Sequence, residues 1–442
     1  YLGPDENITN ELISWIPEQA SRRGYKYANA FMSSKPGDGI NHKEYGVTSE
    51  GVNVFVENTL HFLEIDPKNQ KFSVKMTGGP DGDVAGNELK ILHREYGENP
   101  RILAIADGLG CAFDPDGFDW AELLKLVDES QSIVHFDTQK LTGKDAFVTA
   151  ADNNETIRIR NEITAKTYAD IFIPAGGRPY TVNGKNWELF LDEDQKPSMK
   201  AVVEGANIYF TSKARDKLQE AGVKMVKDST ANKTGVICSS YEIIASLVFA
   251  PDEFLEFKEK YVNEVLDILR AKADAEAKLL FHAFTLEEGQ KTLVDLSLSI
   301  SREINKITDI LLEQWANEEE KLIKDSFFQE IVLKHCPPML RKEYQERIKE
   351  ALPATHQIAI VASSIASFVV YREGLGWLKN IPRKHWAQAL QIYMDKIRLT
   401  DQLVKSIGET NIDDKEQINA ILSKSAARDL TILELQEKLL LK

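Results

Sequence analysis

Residues 72–96 read FSVKMTGGPDGDVAGNELKILHREY, a short apolar run, a glycine-bearing turn and an amphipathic helical segment in direct succession. The turn, TGGPDGDVAGN from Thr77 to Asn87, sits where the backbone amides of a helix N-terminus can receive a dinucleotide pyrophosphate. Gly79, Gly82 and Ala85 give the spacing G-x-x-G-x-x-A, one residue longer in the first gap than the usual fingerprint, with Asp83 and Val84 between the last two. Small residues there let the backbone approach phosphates and let the helix pack on the sheet. The plainer reading is a Gly-rich turn, and the acidic Asp81 and Asp83 sit awkwardly beside a pyrophosphate.

Outward from this turn, short apolar runs alternate with amphipathic segments between Phe72 and Phe249. The runs RILAIAD, SIVHF, ADIFIPA, KAVVEGA and VKMV join FSVKMT as expected strands, and AELLKLVDE and SKARDKLQEAG join ELKILHREY as expected helices. That rhythm predicts a parallel sheet covered on both faces, a doubly wound Rossmann-like α/β domain over residues 46–249. RILAIAD ends in Asp107, about 20 residues beyond the glycines, where a carboxylate can accept bonds from ribose hydroxyls and repel a 2'-phosphate. This combination favours NAD over NADP. Asp107 could instead cap the loop that follows it.

Beyond residue 250 the strand signals stop. Leu293, Leu296, Ile300, Ile304, Ile307 and Leu311 step by three and four residues along one helical face, and Phe254, Phe257 and Tyr261 step likewise as a core face. The spacing predicts an all-helical domain over 250–442, punctuated by Pro251, Pro337, Pro338, Pro353 and Pro382 into six to eight helices. The longest apolar run, Ile358 to Val370, reads as too short to span a bilayer.

Composition narrows the setting. The 69 acidic and 54 basic residues give a net charge of -15, against a phosphate-binding nucleic-acid surface or a basic membrane face. Cys111, Cys238 and Cys336 lie far apart and form no CxxC pair, and the histidines show no metal-ligand spacing, so no metal is expected and the setting reads as reducing and cytoplasmic. The opening residues match neither a signal nor a transit peptide, and they begin as if mid-domain, so the chain reads as a fragment.

Two further constellations are polar. Gly3-Pro4-Asp5 precedes the stretch SSKPGDGINHKEYGVTSEGV, from Ser33 to Val52. Asp5 could be a general base or a helix cap, and Thr48 with Ser49 could cap a helix or reach a ligand. Glu204-Gly205-Ala206-Asn207 ends a strand, while Asn232-Lys233-Thr234-Gly235 opens the helix carrying Ser239 and Ser240. Both lie where open α/β sheets bind ligands, at carboxyl ends of strands, although helix capping and loop bonding explain such residues equally well.

Taken in order, these stretches resemble the glutamate dehydrogenases over roughly residues 1–250. GPDENITNELISWI resembles the family's PAPD-type stretch, SSKPGDG its TGKP-GG segment and VTSEGV its ATGRGV. ADGLGCAFDPDGFDWAEL is similar to SDSKG-YDPDGLD-EEL, and ADIFIPA to CDILIPAA. VVEGAN matches without change, and KDSTANKTGVICSSYE resembles PDILANAGGVTVSYFE. The glycine loop and the helical extension are more similar to the large-subunit NAD-dependent branch than to the small hexameric enzymes.

The resemblance implies a proton-shuttling role for Asp5, Thr48 beside the nicotinamide carboxamide, the phosphate loop at Gly79, Gly82 and Ala85, and the ribose-binding strand end at Asp107. It further implies Asn207 near the nicotinamide ribose, Asn232 near the cofactor, and Ser239 against the substrate's side-chain carboxylate. The implied reaction is oxidation of L-glutamate by NAD to 2-oxoglutarate and ammonia in a homo-oligomer, with no nucleic-acid or membrane partner. Alternatives are another amino-acid dehydrogenase and a non-catalytic NAD-binding scaffold. The family's substrate-binding and catalytic lysines lie upstream of the PAPD-type motif, so residues 1–45 read as the end of a substrate domain. IPAGGRPY stands where the family has IPAALEN, and Lys43 and Glu44 are the nearest candidates for an arginine that has no clear match.

Overall fold

The computed structural model describes residues 2–4, 8–424 and 426–440. Seven strands form one sheet in the order β4-β3-β2-β1-β5-β6-β7. These are β1 Phe72–Thr77, β2 Pro100–Ala106, β3 Gly110–Phe113, β4 Phe147–Ala150, β5 Ala169–Pro174, β6 Met199–Val203 and β7 Lys224–Val226. From β2 to β7 every neighbouring pair is parallel, while β3 pairs antiparallel with both β2 and β4. The first eight helices are α1 Asn10–Arg22, α2 Val47–Phe62, α3 Asp83–Tyr96, α4 Trp120–Asp128, α5 Asn154–Lys166, α6 Ser212–Glu220, α7 Asp228–Ala231 and α8 Thr234–Val248.

The five parallel strands are the expected runs, buried along nearly their whole length as strands covered on two faces must be. The sixth expected strand is not one. SIVHF holds a 3-10 turn, Ile133–His135, because the Ile133 amide and the Ser132 hydroxyl are given to the Asp107 carboxylate instead of a ladder. The sheet is therefore not all parallel: its edge is the β3–β4 pair, built from the four-residue runs GCAF and FVTA.

At the centre of β1 lies a lysine. Lys75 is fully buried, its ammonium donating to the Thr167 and Ser198 carbonyls and the Ser198 hydroxyl at 2.8–3.0 Å, over the rings of Phe172 and Phe190. Burial pushes its amine well below the ordinary lysine range.

Eleven helices follow residue 250 among the described residues, more than the six to eight expected. They are α9 Pro251–Leu255, α10 Lys258–Leu286, α11 Leu293–Trp315, α12 Glu319–Leu322, α13 Ser326–His335, α14 Pro338–Glu343, α15 Gln345–Ala351, α16 Ala354–Glu373, α17 Trp386–Gly408, α18 Lys415–Lys424 and α19 Ala426–Leu440. Pro251 and Pro338 occupy first helical positions, where a missing N–H costs nothing, and Pro353 caps α16. Phe254 and Tyr261 are buried and stack edge to face, but on successive helices, with Phe257 at the junction.

The chain does not divide at residue 250. One compact unit comprises residues 1–298 and 333–352, the other 299–332 and 353–442. The long α10 belongs with the sheet domain because Tyr261, Val262, Val265, Leu266 and Leu269 are buried, and because its Arg270 shares Glu50 of α2 with Arg94 of α3. Within the second unit, α16 runs 20 residues, longer than its 13-residue apolar run, with a mean hydropathy of 1.4, enough by length and composition to cross a membrane. Ile358, Val361, Ala362, Ile365, Ala366, Val369 and Val370 of this helix are buried.

Candidate functional site

The glycine loop is shaped by close backbone contacts. Gly78 leaves β1 at φ +89°, its amide donating to Ala106 O, and a side chain on it would meet the Gly176 amide and Ala85 at 2.9 Å. Gly176 in turn stands so close that a Cβ there would lie 2.7 Å from Gly78 Cα. This explains the glycines of IPAGGRPY, since an alanine at 176 would collide with the loop. Gly82 is the N-cap of α3 with extended backbone and no side-chain cap, which leaves the first-turn amides without a side-chain acceptor. Gly86, one turn in, approaches the Pro80 carbonyl, where a Cβ would lie at 2.4 Å. Gly78, Gly86 and Gly176 were not among the sequence candidates, and only the first two stand in the glycine run.

The acidic residues of the loop differ in their surroundings. Asp83 is exposed and pairs with Lys43 at 2.8 Å, while Asn87 donates to the Lys43 carbonyl and so docks residues 41–46 on the start of α3. Asp81 and Asp107 both flank Gly79, where a Cβ would meet their oxygens at 2.5 and 2.3 Å. Desolvation by the loop, with the Asp107 charge adding, raises Asp81 above the usual carboxylate range. Asp107 is buried and accepts four bonds, from the Leu109 and Gly110 amides on one oxygen and from Ser132 and the Ile133 amide on the other. Its geometry is that of the loop-capping alternative; all four bonds are internal, so a ribose could be held only by sharing these oxygens.

Three helix starts meet above the strand ends. α2 begins at Gly46, a left-handed N-cap, so neither Thr48 nor Ser49 caps it. Ser49 instead donates to the Val84 carbonyl, and Thr48 faces Gly235, where a Cβ would sit 3.1 Å from its hydroxyl. Thr234 bonds the Val47 carbonyl at 2.9 Å, and Gly51 leaves room for that threonine. Val84 touches Gly205, and Asn232 donates to the Gly205 carbonyl and to the Asn207 side chain at 2.7 Å. The loop bearing Asn207 is fixed from below by Glu204, which takes a bidentate bond from buried Arg215 at 2.7 Å, and by Asp228, which accepts the Ile208 amide. Thr48, Val84, Asn207 and Asn232 are thus brought together, with Gly82 heading α3 beside Val84. Ser239 lies one turn along α8 from Gly235, bonded to its carbonyl at 3.4 Å. Asp5 lies outside the described residues.

The side of the site preceding α2 is organised by residues that the sequence did not single out. The buried Glu242 carboxylate of α8 accepts the Ser34 amide at 2.9 Å, the Ile40 amide at 3.3 Å and the His42 ring at 3.0 Å. Buried Lys35 donates to the Asn29 carbonyl, Asp38 and Ser246. The contacts to Glu242 and Ser246 span about 200 positions of sequence, and no local pattern announces them.

The profile of the family described as Glutamate/Leucine/Phenylalanine/Valine dehydrogenase matches residues 38–287. The chain is 35% identical over 84% of its length to a Schizosaccharomyces pombe protein named "Probable NAD-specific glutamate dehydrogenase", of which it covers 34%. Proteins named NAD-specific glutamate dehydrogenase from Neurospora crassa and Saccharomyces cerevisiae are 33% and 31% identical over 85% of the chain, which covers 37% and 36% of them. The chain thus spans about a third of the length of these relatives.

Proposed function

The chain belongs to the Glutamate/Leucine/Phenylalanine/Valine dehydrogenase family, and from that premise we propose that it is the cofactor-binding portion of an enzyme that oxidises L-glutamate with NAD. The observation that carries the reading is the convergence of the first turns of α2, α3 and α8 with the loop after β6.

The residues present fit NAD. The glycine cradle at 78, 79 and 176 has no room for side chains, Gly82 little, and the α3 N-terminus supplies amides without a side-chain cap for a pyrophosphate. Two carboxylates flanking Gly79 disfavour a 2'-phosphate. NAD, when bound, supplies the hydride acceptor. Thr48 and the Asn207–Asn232 pair orient the nicotinamide end, and Ser239 receives the glutamate side-chain carboxylate. Asp5 moves protons as water adds to the imine and ammonia departs, yielding 2-oxoglutarate. We extend the proposal to a homo-oligomeric parent in the cytoplasm.

The test is a paired titration of the chain with NADH and NADPH, followed by cofactor fluorescence. NADH binding at least tenfold tighter than NADPH, lost in Gly82→Val, is expected. Equal affinities, or no binding of either, would overturn the cofactor assignment. A substrate panel on the full-length parent separates glutamate from branched or aromatic amino acids.

A further inference from the structure

Cys238 and Glu242 lie four residues apart on one face of α8, and the segment preceding α2 brings His42 over them. The His42 ring nitrogen, the Cys238 sulfur and a Glu242 carboxylate oxygen all lie within 4.8 Å of one another. Cys238 and Glu242 are almost fully buried, whereas His42 is partly open, at 22% side-chain exposure, and offers an entry path.

We propose that His42, Cys238 and Glu242 form a divalent-metal site, and that its donor chemistry selects Zn2+. One imidazole, one thiolate and one carboxylate form a borderline-soft set typical of zinc, and three protein ligands leave a fourth position for water or a substrate atom. Zinc bonds of roughly 2.0–2.3 Å set tetrahedral ligand separations of about 3.3–3.8 Å. His42 and Glu242 already stand 3.0 Å apart, so they open slightly and the sulfur closes by no more than about 1.5 Å.

The supporting bonds are in place. The Ser34 and Ile40 amides hold the Glu242 oxygens, and the Ser34 hydroxyl accepts the His42 amide at 3.0 Å. Such outer contacts orient ligands before the ion arrives. Gly39 allows the approach, since a Cβ there would lie 2.9 Å from Glu242. On binding, the Cys238 S–H bond breaks, the sulfur bonds the metal and one proton leaves to solvent; no electron transfer is involved. The ion replaces the His42–Glu242 hydrogen bond and fastens residues 34–42 to α8, beside Thr48 and Ser239. This site does not depend on the identity of the nucleotide or amino acid.

Chelator-treated chain is titrated with Co2+ and then displaced with Zn2+. One cobalt per chain is expected, with a thiolate-to-cobalt charge-transfer band that Cys238→Ser abolishes and that Cys111→Ser and Cys336→Ser retain. His42→Ala, at a partly open position, keeps the fold and lowers Zn2+ affinity more than about tenfold. If Cys238→Ser does not fold by circular dichroism, the His42→Ala affinity decides alone. Absence of stoichiometric uptake, a charge-transfer band surviving in Cys238→Ser, or unchanged Zn2+ affinity in His42→Ala would each overturn the site.

Discussion

Replacing Asp107 by alanine tests whether that carboxylate serves chiefly the fold or a ribose. The substitution removes the acceptor of four donors. Leu109 is largely exposed, so its amide turns to water, and the Ser132 hydroxyl can rotate. The Gly110 and Ile133 amides remain buried without a partner. At about 1–3 kcal/mol for each stranded donor, with the charge-assisted bonds at the upper end, Asp107→Ala is expected to cost about 3–5 kcal/mol. Ser132→Ala loses two bonds, the one to Asp107 and the one that the hydroxyl accepts from the Val134 amide, but leaves the carboxylate and the Ile133 amide paired, at about 1–2 kcal/mol. Urea denaturation gives both values, and hydrogen exchange over residues 107–135 locates the loss. A variant Asp107→Ala within about 0.5 kcal/mol of the parent, yet binding NADH tenfold more weakly, would refute the capping account.

Glu88 of α3 is fully buried, and neither carboxylate oxygen has a hydrogen-bond partner; burial, with Glu50 adding, raises it well above the usual carboxylate range. A raised folded-state pKa means that the folded protein holds the proton more tightly, so stability falls as pH rises above the ordinary value near 4.5, by up to about 1.4 kcal/mol per pH unit. Glu88→Gln removes that slope, and its stability gain in urea should be larger at pH 8 than at pH 5; equal gains would count against a buried neutral acid. Arg215→Met leaves Glu204 buried without its bidentate partner and is expected to cost about 3–5 kcal/mol by chemical denaturation. Gly176→Ala drives a methyl group into Gly78 Cα, so NADH affinity should fall more than tenfold with the helical content unchanged by circular dichroism. An alanine variant binding like the parent would show that the loop yields.

The parts of this architecture that could be read along the chain are those held by local patterns. FSVKMT, RILAIAD, ADIFIPA, KAVVEGA and VKMV are short runs rich in apolar residues because parallel strands are buried on both faces, and all five hold strands. SIVHF also reads as a short apolar run and fails, because Asp107, 26 residues away from Ile133, captures the Ile133 amide and the Ser132 hydroxyl. GCAF and FVTA are four-residue strands at one side of the sheet, too short to show a period. The boundary near residue 250 marks a real change in secondary structure but not in packing: α10 carries no strand signal, and the buried face and Arg270 that tie it to the sheet domain are visible only once α2 lies beside it. Thr48, Val84, Asn207 and Asn232 stand in short motifs, which is why the sequence offers them as candidates and the contacts between their loops can be checked. His42 and Glu242 are 200 positions apart, and Gly176 is needed only because Gly78 passes next to it.

Lys75 gives the molecule an internal reporter of its own opening. An amine shielded in the middle strand reacts slowly with acylating reagents for lack of access, and once the strands part and water restores its ordinary pKa it reacts at the rate of an exposed lysine. Its rate of labelling, read by mass spectrometry against the rate at an exposed lysine such as Lys90, measures how often the sheet separates under native conditions. Any ligand that tightens the crevice above β1 slows that clock without touching the lysine.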